Sequence, residues 1–147
     1  MLKWLSGTIL FVLASTAGAA AQGMCGDAPI APVIPSPADM SQKSPVDATA
    51  ARHNAFGDIK TWQGALKSYR DCLNATVSTG KRDVGEMIRS EKPDKDKIAK
   101  RQQEVDAANH AFDTSVDDEE KLVNEFHAAQ VAYCTRSDVD HATCPKN

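Results

Sequence analysis

The sequence predicts an all-α protein: an antiparallel long helical hairpin, coiled-coil-like, with an extended Pro-rich N-terminal strap. Three observations carry this. Residues 94–136 read as one mostly polar helix with no Pro or Gly and a thin apolar seam, in which Ile98, Val105, Phe112, Phe126 and Tyr133 share one heptad phase and Glu119 is the polar exception. Residues 48–79 repeat the rhythm, with Ala55, Ile59, Trp62, Leu66, Tyr69, Leu73 and Thr76 alternating by four and three. Turn signals at Gly80, Gly85 and Pro93 separate the two. At about 1.5 Å per residue the second helix is a rod on the order of 60 Å long, and so narrow a seam requires a partner helix.

The chain of 147 residues opens with an export leader, residues 1–21. Lys3 is the charged start, Ile9 to Ala14 the apolar stretch, and Ala19-Ala20-Ala21 fits the small-residue cleavage rule, which puts the mature start near Gln22. The apolar stretch is short for a membrane span, so no stable span is expected after cleavage. Cys25 raises a lipoprotein alternative, but Gln22-Gly23-Met24 lacks the usual pattern. The expected location is the periplasm. The formal net charge is −3, and the leader carries one of the positive charges; the mature chain is mildly acidic, which argues against nucleic acid as a partner.

Residues 22–47 contain Pro29, Pro32, Pro35, Pro37 and Pro45 and are expected to be extended. They are either a flexible tail or a strap laid along a helix by Ile30, Val33, Ile34 and Met40, and Cys25 favours the strap. Asp47 is the expected N-cap of the first helix, which begins the hairpin domain of residues 48–136. Phe56, Ala65 and Val77 broaden its seam, and Gly57 and Gly64 suggest a close approach. Val84, Met87 and Ile88 suggest that helix continues past Gly80, so the bend falls between Gly80 and Lys92; Pro93 suits the first turn of the second helix. Val116, Leu122, Val123 and Ala129 widen the second seam. Residues 137–147 form a loop tail.

Cys25, Cys72, Cys134 and Cys144 in an exported chain imply two disulfides. With the bend centred near residue 87, Cys72 lies opposite about residue 102, and Cys134 is then on the order of 45 Å away. A disulfide needs Cα atoms within about 7 Å, and the tail reaches too little to bring Cys144 to Cys72. Cys25–Cys72 and Cys134–Cys144 remain. The same register sets Asp113, Asp117, Asp118, Glu119 and Glu120 at the level of Arg52 and Lys60.

"APVIPSPADM", "YRDCLN" and "ANHAFDTSVDDEEKLVNEFHAAQVAY" together resemble a family of small exported proteobacterial proteins of unknown function, with a signal peptide, a Pro-containing segment and two long helices. The resemblance maps onto Asn109, Glu119, Glu120, Phe126 and Tyr133, and this chain departs from it in having Cys134 and Cys144. It implies no activity.

No serine-elbow, phosphate-loop, Cys-x-x-Cys or haem motif is present, so neither an enzyme nor a cofactor is expected. Asn74-Ala75-Thr76 matches a glycosylation acceptor inside a helix and is discounted. The run Asp117-Asp118-Glu119-Glu120 reads as a solvated face. Metal binding is the strongest chemical candidate: His53, His110, His127 and His141 are the available nitrogens, His53 and His127 could approach at the open end with Asp47 or Glu125, and His141 and Cys144 are three apart. No two histidines sit at i, i+3 or i, i+4 on one helix, so these residues are expected to be exposed and no metal site is assigned. The leading expectation is a structural or interaction protein that works through the seam residues Ile59, Trp62, Leu66, Tyr69, Val105, Phe112, Phe126 and Tyr133, by contact with an envelope protein or with itself. The alternative is a small periplasmic metal- or ligand-binding protein.

Overall fold

The computed structural model describes residues 25–145. The expected signal peptide and its cleavage site, residues 1–21, lie outside the described residues. Those residues form an all-helical chain: α1 (Pro37–Gln42), α2 (Pro45–Arg89), α3 (Lys95–Cys134) and a single 3-10 turn, His141–Thr143. The long helices α2 and α3 pack antiparallel as a hairpin. No helix among the described residues is long and apolar enough to cross a membrane.

The segment ahead of α2 is not extended throughout. Ser36-Pro37-Ala38-Asp39 starts α1, with Asp39 N–H donating to Ser36 Oγ at 3.1 Å and Ser36 N–H donating to Asp39 Oδ2 at 3.0 Å. This capping box, with Pro at the first helical position, outweighs the Pro-rich surroundings. The Ser36 donors hold the Asp39 carboxyl below its usual range. The same pattern recurs eight residues on. Ser44, not Asp47, caps α2, Pro45 opens it, and Asp47 N–H donates to Ser44 Oγ at 3.2 Å. The hairpin therefore begins at residue 45 rather than 48. In the strap itself Ile34 packs against both cores and Met40 is fully buried, whereas Ile30 and Val33 point outward at 94% exposure each.

The bend also differs. Helix α2 runs through Gly80 and Gly85 to Arg89, and residues 90–94 make the turn. Pro93 lies just outside α3, which Asp94 caps by accepting from Lys97 N–H at 3.1 Å. That bond lowers the Asp94 pKa. Continued apolar positions at Val84 and Met87 carry the helix past two glycines, and Pro93 disfavours helical backbone at Lys92. Facing pairs are symmetric about residue 91. Gln63 meets Glu119, Phe56 meets Phe126 with ring centroids 6.2 Å apart, and Thr49 Oγ1 lies 3.0 Å from Tyr133 Oη. Cys72 consequently lies opposite about residue 110, not 102. The acidic run faces the level of Gln63 and Arg70 instead of Arg52 and Lys60. Arg52 lies 5.0 Å from the Tyr133 ring centroid, and Lys60 5.6 Å from that of Phe56.

Two disulfides close the fold, Cys25–Cys72 with Cα atoms 5.7 Å apart and Cys134–Cys144 at 5.9 Å. The expected pairing holds in the corrected register because Cys134 still lies roughly 30 Å along the rod from the level of Cys72. The first pins the strap to α2; the second folds the tail onto the end of α3. Two disulfides mark an oxidising compartment. Loop closure over separations of 47 and 10 residues gives about 4 and about 3 kcal/mol in the chain-entropy picture. A Cys25→Ser/Cys72→Ser chain should lose about 4 kcal/mol in urea unfolding, and more than a Cys134→Ser/Cys144→Ser chain; equal losses would show that the strap is not closing the longer loop.

The core is one seam in two parts. Ile59, Trp62, Leu66, Tyr69, Leu73, Ala108 and Leu122 form the middle, and Met40, Ala48, Ala129 and Tyr133 form the open end. The α3 residues that alternate with the aromatic phase are small, Ala108, Ser115 and Ala129 with Leu122; Val116 and Val123 stand off the seam. Towards the tip Gly80 permits close approach. A Cβ there would lie 2.3 Å from Val105 Cγ2, whereas one at Gly57 or Gly64 meets nothing within 4 Å. Gly57→Ala and Gly64→Ala should therefore stabilise by up to about 1 kcal/mol each through helix propensity. Gly80→Ala should destabilise by about 1–3 kcal/mol despite the same propensity gain, because Val105 is 1% exposed and has no room to turn. Urea midpoints of the three variants decide this, and Gly80→Ala/Val105→Ala should lose less than the two single changes summed.

Candidate interaction surface

Lettering the heptads from the facing positions puts residues 59, 66, 73 and 80 of α2 and 105, 112, 119, 126 and 133 of α3 at a. Residues 55, 62, 69 and 76 of α2 and 108, 115, 122 and 129 of α3 are at d. A two-helix seam leaves two open sides, one lined by g and c positions and one by e and b positions.

The strap takes the first side. Cys72, at g, carries the disulfide, and Cys25 Sγ sits 3.6 Å from Thr76 Oγ1. Trp62 Nε1 donates to the Pro29 carbonyl at 3.0 Å. The g positions Ala51, Ala111 and Ala132 are small and half-buried, which lets the strap and α1 lie close. Between Pro29 and α3 a cleft of about 240 Å³ is lined by Trp62, Tyr69, Ala107, His110, Ala111 and Asp118 among others. Trp62 and Tyr69 are 6% and 7% exposed, so they serve the core and present no open aromatic face. Burial, and then the charge of Asp27, raise the Tyr69 pKa.

At the open end Arg136 ties α1 to the tail. Its Nη1 donates to the Met40 and Lys43 carbonyls at 2.6 and 2.9 Å, and its Nη2 pairs with Asp138 at 2.9 Å. The Asp138 bond raises the Arg136 pKa and lowers that of Asp138. Tyr133, fully buried, donates to the Asp140 carbonyl at 3.2 Å.

The tail crosses the second side at the open end, against Val46, Thr49 and His53 of α2 and around Cys134 of α3; beyond it the second side is uncovered. Phe56 at e is 50% exposed, Val116 and Val123 at e are 41% and 43% exposed, and Phe112, Phe126 and Val77 are half-buried beneath them. In its middle lies a polar knot. Arg70 donates to Glu119 and to the Ser115 carbonyl, and its Nε donates to Ser115 Oγ at 2.8 Å. Gln63 Nε2 donates to the other Glu119 oxygen at 2.7 Å, and the Arg70 guanidinium lies 5.9 Å from the Phe112 ring centroid. The acid that interrupts the apolar phase is thus doubly hydrogen-bonded across the hairpin.

The expected seam residues divide between interior and edge. Ile59, Trp62, Leu66, Tyr69, Val105 and Tyr133 are buried between the helices and the strap, and Phe112 and Phe126 are half-buried at the edge of the open side. Free apolar surface is instead supplied by the broadening positions Phe56, Val116 and Val123. The candidate metal ligands do not converge. His53 lines a depression with Asp138 and Asp140, while His127 and His141 line another beside Cys134 and Cys144. His110 rims the strap cleft, and Asp47 bonds Ser44 Oγ at 2.6 Å. Among the described residues no group of three or more His, Cys, Asp or Glu is placed to hold a metal ion. No protein-family model matches the chain, and neither a curated protein nor a solved structure matches it significantly.

The Arg70 and Gln63 donors depress the Glu119 pKa. A depressed carboxylate stabilises the fold above its unfolded pKa, near 4.3, and that stabilisation is lost as pH falls through the folded pKa. Thermal midpoints should stay level from about pH 7 to pH 5 and drop below about pH 4. Glu119→Gln should lower the midpoint at pH 7 and flatten the acid limb; an unchanged limb would mean that other carboxylates, such as Asp94 and Asp138, account for it.

Proposed function

We infer that this protein is a periplasmic interaction module of the small exported kind its sequence resembles, acting by helix-mediated contact rather than by catalysis. The observation that supports this most directly is the asymmetry of the hairpin. One side is sealed by a disulfide-pinned strap, and the other keeps Phe56, Val116 and Val123 half in water along the rod. Apolar groups held at such exposure on a rigid frame are suited to docking. Long helices fix the spacing of the docking residues, and the two disulfides preserve that spacing in an oxidising envelope.

A photo-cross-linking amino acid placed at Phe56 or Val123 in the exported chain should give discrete cross-linked species in intact cells. The same group at Ser78, an exposed position outside the heptad sides discussed, should give none. Equal or absent cross-linking at all three positions would remove the contact reading.

A further inference from the structure

The open side carries a charge pattern that the hairpin itself does not use. Beside the apolar e positions run the b positions of each helix. On α2 these are His53, Lys60, Lys67, Asn74 and Lys81, with no acid among them. On α3 the polar ones are Asp106, Asp113, Glu120 and His127, with no Lys or Arg, and Cys134 at the last b position holds the tail. Lys60, Lys67, Asp113 and Glu120 are all exposed. Lys67 reaches Asp71 one turn on, an exposed pair of small worth. The face is therefore an apolar floor between a basic wall and an acidic wall.

We propose that this face docks on the same face of a second copy of the chain, forming a four-helix dimer about a twofold axis parallel to the hairpin. This rests on the contact reading and names its partner. Two antiparallel-hairpin faces can meet about either of two perpendicular axes. An axis across the hairpin sets α2 on α2 and α3 on α3, so lysines oppose lysines and acids oppose acids. An axis along the hairpin sets α2 on α3 of the second copy, and the levels then follow from the register within one chain. The polar knot and the Phe56–Phe126 contact put Lys60 at the level of about residue 122 and Lys67 at that of about residue 115. Lys60 thus meets Glu120 of the partner subunit, and Lys67 meets Asp113 of the partner subunit. Symmetry repeats both pairs. Phe56 and Val123 of the two copies close the floor between them. Beyond the tail, a face about 50 Å long and about 20 Å wide offers on the order of 1,000 Å² per copy, enough for a stable association.

The test uses the mature, oxidised chain in sedimentation equilibrium and light scattering at about 100 µM and low salt. A dimer that weakens with added salt is expected. Lys60→Glu/Lys67→Glu and Asp113→Lys/Glu120→Lys should each weaken dimerisation at least about 100-fold while keeping the same helical circular dichroism, since all four side chains are exposed. An equimolar mixture of the two variants should recover the dimer as a heterodimer. Zero-length carbodiimide cross-linking of mixed light and heavy-isotope protein should give a mixed-isotope Lys60–Glu120 product. A wild-type chain that is monomeric at this concentration, or charge-reversed variants that dimerise like wild type, would overturn the proposal. A monomer whose Val123 still cross-links to another protein in cells would overturn the dimer and leave the contact reading standing.

Discussion

Register is the constraint on which this fold depends, and the bond network of Arg70, Gln63, Ser115 and Glu119 is the interaction that singles it out. A two-helix seam of Leu, Ile, Ala and aromatic residues is tolerant of slippage, because a shift by one heptad replaces apolar contacts with other apolar contacts. A carboxylate at a seam position is not tolerant. Moved a heptad towards the open end, Glu119 would face Phe56 and lose its charge-assisted bonds in a half-dry place, at a cost of several kcal/mol; moved the other way, it would lose Gln63 and pull Arg70 from Ser115. The Gly80–Val105 fit acts in the same sense towards the tip, since any bulkier side chain opposite Val105 would push the helices apart. At the other end Thr49 and Tyr133 close the register with a hydroxyl contact. The apolar seam supplies cohesion, and these three points give it a single alignment.

That alignment decides what the strap can do. With Cys72 at a g position, a disulfide to Cys25 forces the strap onto one side of the seam, where small residues leave room. The Trp62–Pro29 bond then removes the need for water at a buried indole nitrogen. The strap works as a short third layer and turns a two-sided ribbon into a body with an inside and one working face. Arg136 completes the closed side by taking two carbonyls at the end of α1, where a six-residue helix has little other support.

Much of this was legible in the residues. The heptad phase of α3, including its acidic exception, gave the seam, and chain reach alone narrowed three disulfide pairings to one. Gly80 and Gly85 have the look of turn residues, which sets the expected bend too early. Gly80 is a packing residue whose reason lies 25 positions away at Val105, and no local pattern reveals that. A bend four residues early shifts the facing register by eight, which sets Arg52 and Lys60 opposite the wrong acids. Helix α1 had a signal that could have found it. Ser-Pro-x-Asp occurs at 36–39 and again at 44–47, and each copy is an N-cap, a first-position Pro and a third-position acid. Counting prolines hid the serines before them. Exposure of Phe56, Val116 and Val123 could not be read at all, because which side the strap covers depends on a disulfide's place in the corrected register.

The separation of charge on the open side bears on whether that face is merely solvated. A solvated helix surface ordinarily mixes signs, because i,i+4 pairs on one helix give a few tenths of a kcal/mol each. Here the b positions of α2 and α3 each avoid one sign. Attraction between the two walls of one hairpin is a weak explanation. The helix axes are about 8–10 Å apart, the b positions point away from the seam, and side chains across it are separated by more than the screening length at physiological salt. At that range exposed pairs contribute little. The same charges brought over each other by a docking partner would lie within salt-bridge distance beside excluded water, where their interaction is several times stronger. The pattern is therefore worth little to the isolated hairpin and considerably more to an assembly in which a basic wall meets an acidic one.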